Sequence, residues 1–294
     1  MEMTKDKLQE AEDEKKFQTF KNFKLKRKIG KGRFSSVYQA KCTIDNSIYA
    51  VKKVIIPDYT DPVVCQKYML EVKLLKSCHH HNIIRYFASF LIDDCVLLII
   101  CELADAGDLE CMIKVFREKK IRIPERTIWK YFYPVASAVC YLHDRRIMHR
   151  DIKPSNIYVT GKGVVKLGDF GLGRALGSGT AAASSWVGTP YYMSPERVAQ
   201  RDYDFKSDIW SLGCLLYELA ALRSPFFGVK LTLVQLCEKI ENGDYRPLEP
   251  QLYSLNLRQL VDKAIMIKPD DRPTASQVLC EASNMYRESN STTI

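Results

Sequence analysis

The 294-residue sequence contains ten cysteines but no C-x-x-C pair, and that absence removes the paired-ligand spacing of a zinc site. Most of the cysteines lie inside apolar runs, where a reduced Cys behaves as a small hydrophobe. The sequence therefore predicts free thiols in a reducing compartment. No apolar run approaches the roughly 20 residues of a membrane span, and no signal-peptide pattern is read at the start. No membrane partner is expected. Internal repeats and low-complexity linkers are absent as well, which excludes solenoids and arrays.

A hydrophobic fraction of 46% can bury a substantial core, and 27% charged residues suits a soluble chain. The net charge is +9, from 44 basic and 35 acidic residues. Such an excess can serve nucleic acid, acidic lipid or an acidic partner. The only basic cluster, Lys21, Lys24, Lys26, Arg27 and Lys28, is short and leads directly into a strand. The surplus is read as scattered surface lysines, with no nucleic-acid partner.

The chemistry concentrates in His149-Arg150-Asp151-Ile152-Lys153-Pro154-Ser155-Asn156, followed thirteen residues later by Asp169-Phe170-Gly171. Phosphoryl transfer needs a positioned hydroxyl, a clamped metal–phosphate cluster and charge stabilisation more than it needs covalent help. Asp151 can orient the attacking hydroxyl and accept its proton. Asn156 and Asp169 offer the oxygen ligands that Mg²⁺ prefers. Lys153 is placed to reach the transferred phosphoryl group. Eight residues in register before D-F-G form a specific signal.

Upstream, residues 1–22 are charge-rich without a sustained apolar stripe, and are expected to form a mobile extension. Phe23–Lys26 alternates as a strand and runs into Ile29-Gly30-Lys31-Gly32-Arg33-Phe34-Ser35-Ser36-Val37. A dinucleotide-type glycine loop would open a helix. This one continues as the strand Val37–Cys42, which fits a hairpin covering phosphates. In Ile48–Lys52, alternation places Ala50 and Lys52 on one face. Small Ala50 then leaves room for an adenine ring, Lys52 rather than Lys53 faces the nucleotide, and Ile29, Gly30, Gly32 and Val37 are expected among the residues that bind it. A helix is predicted over Pro62–Ser77, with an apolar stripe of Val64, Tyr68, Leu70, Leu74 and Leu75, and with Glu71 as the ion-pair partner of Lys52. His79-His80-His81-Asn82 is read as a helix-ending turn, not a metal site. The buried strand Val96–Cys101 leads into a polar connector, where the backbone of Glu102 and Ala104 can bond adenine and Asp108 can reach the ribose. Helical periods follow over Leu109–Lys119, Glu125–Asp144, Tyr203–Ala221, Thr232–Asn242 and from Leu255.

With these motifs in place, residues 23–285 resemble a eukaryotic protein kinase. The strings Gly32-Arg33-Phe34-Ser35, Glu102–Leu109, Val187–Glu196 and Phe205–Glu218 are similar to those of the NIMA-related Ser/Thr kinases, in particular the short members that are little more than a catalytic domain. The resemblance implies an α+β, bilobal protein kinase fold, with a small mainly β N-lobe (23–101), a hinge (102–108), a larger mainly α C-lobe (109–285) and a C-terminal tail (286–294). It implies ATP and Mg²⁺ as cofactors and protein Ser/Thr hydroxyls as substrates. It further implies an activation loop with Ser185 as phosphoacceptor and Ser184 as runner-up, a phosphate pocket of Arg150 and Arg174, and a contact of Thr189 near Asp151 and Lys153. Glu196 and Arg272 are expected to form a buried ion pair. The family usually carries Leu where this chain has Phe170. A longer NIMA-related kinase is the expected activator, the chain a monomer or weak dimer, and its place the cytoplasm, centrosome or spindle pole, with the nucleus as a further site. The competing classes are a kinase-fold scaffold, opposed by the complete set Lys52, Glu71, Asp151, Asn156 and Asp169, and a small-molecule kinase, opposed by the Gly188–Glu196 segment.

Overall fold

The computed structural model describes residues 15–32, 35–56, 59–93, 95–169, 190–201 and 203–291, without the side chains of Lys67 and Glu71. They divide into two compact units, Met1–His79 with Ile84–Leu103, and His80–Ile83 with Ala104–Ile294.

The first unit holds β1 (Phe23–Lys31), β2 (Ser35–Cys42), β3 (Ile48–Ile55), α1 (Pro62–Ser77), β4 (Tyr86–Ile92) and β5 (Val96–Glu102). The strands form one antiparallel sheet in the order β1-β2-β3-β5-β4. Its core collects Phe23, Ala40, Cys42, Tyr49, Val51, Ala88, Leu98 and Ile100. The residues before β1 join this core. Phe17 stacks on Phe23 and Phe87 at 5.8 and 5.1 Å and meets Tyr49 edge-on, while buried Lys16 pairs with Asp45 at 3.1 Å. Offset aromatic pairs add to the area they bury, so Phe17 and Phe20, which fall within the expected mobile extension, pack against this core, while Lys15, Gln18, Thr19 and Lys21 are exposed. Residues 1–14 lie outside the described residues.

Helix α1 starts where Asp61 accepts from the Val63 amide at 2.8 Å, with Pro62 at its first position. It buries Tyr68, Val72 and Leu75, an i, i+4, i+7 stripe. Leu70 and Leu74, expected in that stripe, are 58% and 38% exposed.

The second unit contains α2 (Leu109–Glu118), α3 (Glu125–Asp144), the short hairpin β6 (Ile157–Val159) and β7 (Val165–Leu167), α4 (Pro195–Val198), α5 (Phe205–Ala221), α6 (Leu233–Asn242), α7 (Leu255–Ala264) and α8 (Ala275–Ser291). Its axis is α5, buried at 13 of 17 positions. At Gly213 a Cβ would come within 2.7 Å of the Ala264 Cβ, so the glycine lets α7 approach. Tyr286 of α8 stacks on Tyr133 of α3 at 5.1 Å. The stretch from 286, expected as a tail, continues α8 to Ser291. The expected lobe boundary shifts as well. His80–Ile83 belong to the second unit, where Asn82 donates to the Val165 carbonyl at 3.0 Å and accepts from the Leu167 amide at 2.8 Å. All ten cysteines are free, as expected. Among the described residues no helix is long and apolar enough to cross a membrane.

Candidate active site

In the first unit, β3 sets the geometry. Lys52 lies opposite Val37 and Ile99, and Ala50 opposite Gln39 and Cys101. Because strand side chains alternate, Val37, Ala50 and Lys52 share one face. Lys53, opposite Ser36 and Leu98, falls on the other face with core residues Tyr49 and Val51. At the β1–β2 turn the Gly32 amide donates to the Ser35 carbonyl at 2.8 Å, and a Cβ on Gly32 would meet the Ser35 hydroxyl at 2.7 Å. Gly30 sits opposite Val37, and Ile29 beside it is exposed. Glu71 lies on α1, with its side chain outside the described residues. Glu102 closes β5, its amide donating to the Arg85 carbonyl at 2.8 Å.

In the second unit, the catalytic segment is built around Asp151. Its Oδ2 accepts from Lys153 Nζ at 2.9 Å and from Asn156 Nδ2 at 2.8 Å. The Asn156 amide also donates to the Asp151 carbonyl at 2.8 Å. With its NH₂ turned to Asp151, Asn156 presents its side-chain oxygen as the remaining donor atom, which suits a hard cation. Asp169 supplies a carboxylate, and its Oδ2 accepts from the Tyr158 hydroxyl at 3.1 Å. Among the described residues no group of three or more His, Cys, Asp or Glu could hold a metal. An amide oxygen and one carboxylate fit Mg²⁺, which keeps waters and takes phosphate oxygens for the rest of its shell.

This segment is anchored from below by Asp208 of α5, which sequence reasoning missed as a functional residue. The fully buried Asp208 accepts from the His149 amide at 2.8 Å, the Arg150 amide at 2.9 Å, His143 Nε2 at 2.9 Å and the Tyr203 hydroxyl. Burial alone would raise its pKa, but these partners, His143 first, hold it below the usual carboxylate range. Two of the donors flank a strained point, because Arg150 has φ +69°. Such a conformation persists only where surrounding contacts over-determine it. His149 completes the frame. Its Nδ1 accepts from the Asp151 amide at 3.3 Å and its Nε2 bonds the Gly168 carbonyl at 3.0 Å. Burial keeps that imidazole neutral by lowering its pKa. The sequence signal for Asp208 was a carboxylate within a nearly continuous apolar helix.

Asp108, expected at the ribose, caps α2, its Oδ1 accepting from the Cys111 amide at 2.8 Å. His80 and Asn82 form the expected turn, His80 Nδ1 accepting from the Asn82 amide at 3.1 Å. Beyond the loop, the main chain at Tyr192 is tied to α5 by Ser211 Oγ at 3.0 Å, and Tyr192 donates its hydroxyl to Glu218. The Glu196–Arg272 pair is present and bidentate, with both bonds at 2.8 Å. Arg174, Ser184, Ser185, Thr189 and Phe170 lie outside the described residues.

Residues 23–282 match the protein kinase domain family. The chain belongs to that family, and its fold is the bilobal α+β kinase fold. Curated relatives narrow the type. The chain is 39% identical over 264 residues to serine/threonine-protein kinase Nek3 of Mus musculus, covering 89% of this chain and 49% of the relative. It is 36% identical over 260 residues to serine/threonine-protein kinase Nek2 of Homo sapiens, covering 85% and 57%. A probable serine/threonine-protein kinase nek3 of Dictyostelium discoideum is 40% identical over 255 residues, covering 85% and 22%. The domain is thus a Ser/Thr protein kinase domain of the NIMA-related type, which implies ATP and a divalent metal, typically Mg²⁺. The chain spans between about a fifth and about three fifths of the length of these relatives.

Proposed function

We propose that this chain transfers the γ-phosphoryl group of ATP to Ser and Thr hydroxyls of proteins. The observation that carries the proposal is the Asp151 carboxylate, fixed through one oxygen by both Lys153 and Asn156. A carboxylate so held can orient the acceptor hydroxyl and take its proton, a contribution of roughly 10²–10⁴-fold. Lys153, 2.9 Å from that carboxylate, stabilises charge on the transferred group. Asn156 and Asp169 would hold Mg²⁺, which when bound neutralises and orients the phosphates. Lys52, supported by Glu71, fixes the α- and β-phosphates; Val37 and Ala50 line the adenine, Glu102 and Ala104 bond its edge, and Asp108 serves the ribose. Thr189 joins the Asp151–Lys153 pair, and phosphorylated Ser185, or Ser184, engages Arg150 and Arg174. The resemblance supports mitotic work at centrosomes or spindle poles, with a longer NIMA-related kinase as activator.

The test is transfer of labelled phosphate from ATP to a peptide library in the presence of Mg²⁺. Asp151→Asn is expected to lose at least about 100-fold in kcat, Ser185→Ala to lose most activity, and Lys52→Met to be inactive while Lys53→Met is not. A wild type that stays silent after its loop is phosphorylated would replace this function with that of a kinase-fold scaffold.

A further inference from the structure

In the second unit, the end of α3 and the starts of α5 and α8 enclose a cavity of about 230 Å³. Apart from His143, none of its lining residues takes part in the site described above. Its inner wall is apolar. Ile209 and Ala275 are buried, and the Phe205 ring stands edge-on to the His143 ring, with 4.9 Å between centroids. At the mouth the charge is mainly positive. Arg146 is exposed, and among the described residues its guanidinium makes no hydrogen bond or ion pair. Lys206 donates to the carbonyls of Asp270 and Arg272, which leaves one of its three protons for a further acceptor. Asp144 opposes these two cations as a single carboxylate, and Thr274 and Ser276 add exposed hydroxyls.

A guanidinium fork beside an ammonium suits a carboxylate, and the apolar wall suits a ring or a branched chain. The volume falls below the roughly 300–1,000 Å³ of pockets for drug-sized ligands, which excludes a nucleotide and leaves a small molecule. His143 ties this cavity to the catalytic segment. Its Nε2 donates to Asp208 at 2.9 Å, and the same carboxylate holds the amides of His149 and Arg150 at 2.8 and 2.9 Å. Two hydrogen bonds therefore separate a ligand packed on the His143 ring from the backbone of that segment. We propose that the cavity binds a small aromatic or branched-chain carboxylate, and that its occupancy reaches the catalytic segment through His143 and Asp208. A ligand against the ring fixes the position of Nε2, and so changes how Asp208 shares its lone pairs among its four donors. The inference goes beyond the kinase function proposed above, and neither the binding nor the coupling requires phosphoryl transfer.

The experiment titrates the full ¹⁵N-labelled chain with 4-fluorobenzoate and follows backbone amide shifts by NMR. The amides of Arg146, Ala275 and Ser276 are expected to shift and saturate, and those of His149 and Arg150 to shift with the same midpoint. Arg146→Ala removes an exposed side chain without partners, and thermal unfolding confirms that this variant is folded. In it all five midpoints are expected to rise together by about tenfold, the scale of one hydrogen bond to a charged group. With 4-fluorobenzamide, which keeps the size and lacks the charge, wild type is expected to bind about tenfold more weakly. The absence of saturable shifts at the three lining amides overturns the proposal. So does equal affinity in Arg146→Ala or equal affinity for the benzamide, either of which removes carboxylate recognition. Shifts at the lining without shifts at His149 and Arg150 overturn the coupling. Shifts at His149 and Arg150 that keep their wild-type midpoint in Arg146→Ala also overturn it, because they would report a different binding site.

Discussion

Glu196 and Arg272 show how one pair of residues can carry a disproportionate share of stability. Arg272 is fully buried and every face of its guanidinium is used. Beyond the two bonds to Glu196, Nε donates to the Met266 carbonyl at 2.7 Å, and the terminal nitrogens reach the carbonyls of Lys206 and Ile267 at 2.9 and 3.0 Å. Removing one partner leaves a buried charge unmatched, so Glu196→Ala or Arg272→Ala is expected to cost about 3–5 kcal/mol in urea unfolding. Burial alone would raise the Glu196 pKa, but Arg272 and then Ser207 outweigh it and hold the carboxyl at about 2, against 4.5 for the free group. A depressed carboxyl stabilises the fold above its unfolded pKa. The contribution is therefore complete above about pH 4.5 and is lost as pH falls from there towards about 2. Urea midpoints measured between pH 6 and pH 3 should fall at the acid end in wild type and much less in Glu196→Gln. The pair itself was legible from the motif strings. The three carbonyls that complete it were not, because main-chain acceptors leave no mark in a sequence.

Strands and helices were legible to the extent that their periodicity was simple. Alternation located β1 and β3, and β2 was read as the continuation of the glycine loop. It missed β4, because Tyr86-Phe87-Ala88-Ser89-Phe90-Leu91-Ile92 is almost continuously apolar and has no period to read. In α1 the apolar residues outnumber those that one face can bury, so sequence spacing could not choose between Leu70 and Val72. Strand β1 lies at the sheet edge and exposes Lys24, Lys26 and Lys28. Edge lysines discourage pairing with a second sheet, but here Lys24 stands directly opposite Lys41. Like charges at that spacing destabilise a strand pair. Lys24→Glu should therefore stabilise the protein by about 0.2–1 kcal/mol, read as a rise in Tm at low salt that shrinks as salt is added; an unchanged or lower Tm would count against the pairing.

Across the whole molecule the charge is less evenly spread than the sequence first suggested. Residues 15–56 contain twelve Lys and Arg and a single acidic residue, Asp45, so this stretch carries +11 while the other residues together carry −2. The scattered-lysine description is corrected accordingly. A positive field of this kind favours approach of phosphate-bearing ligands and weakens with salt. The active site divides in the same way between what is linear and what is assembled. Asp151, Lys153, Asn156 and Asp169 lie within nineteen residues and could be read directly. Asp208, by contrast, arrives from 57 residues beyond Asp151.

Asp208 has one further consequence. The main-chain amides of His149 and Arg150 end on a carboxylate seated in the most buried helix of the second unit. Their protons can exchange with solvent only when that carboxylate withdraws, which requires α5 itself to open. Catalytic loops are commonly drawn from the low-stability end of a protein's local unfolding spectrum. At these two positions the loop instead takes on the exchange lifetime of the helix beneath it, so deuterium should enter His149 and Arg150 as slowly as it enters the centre of α5.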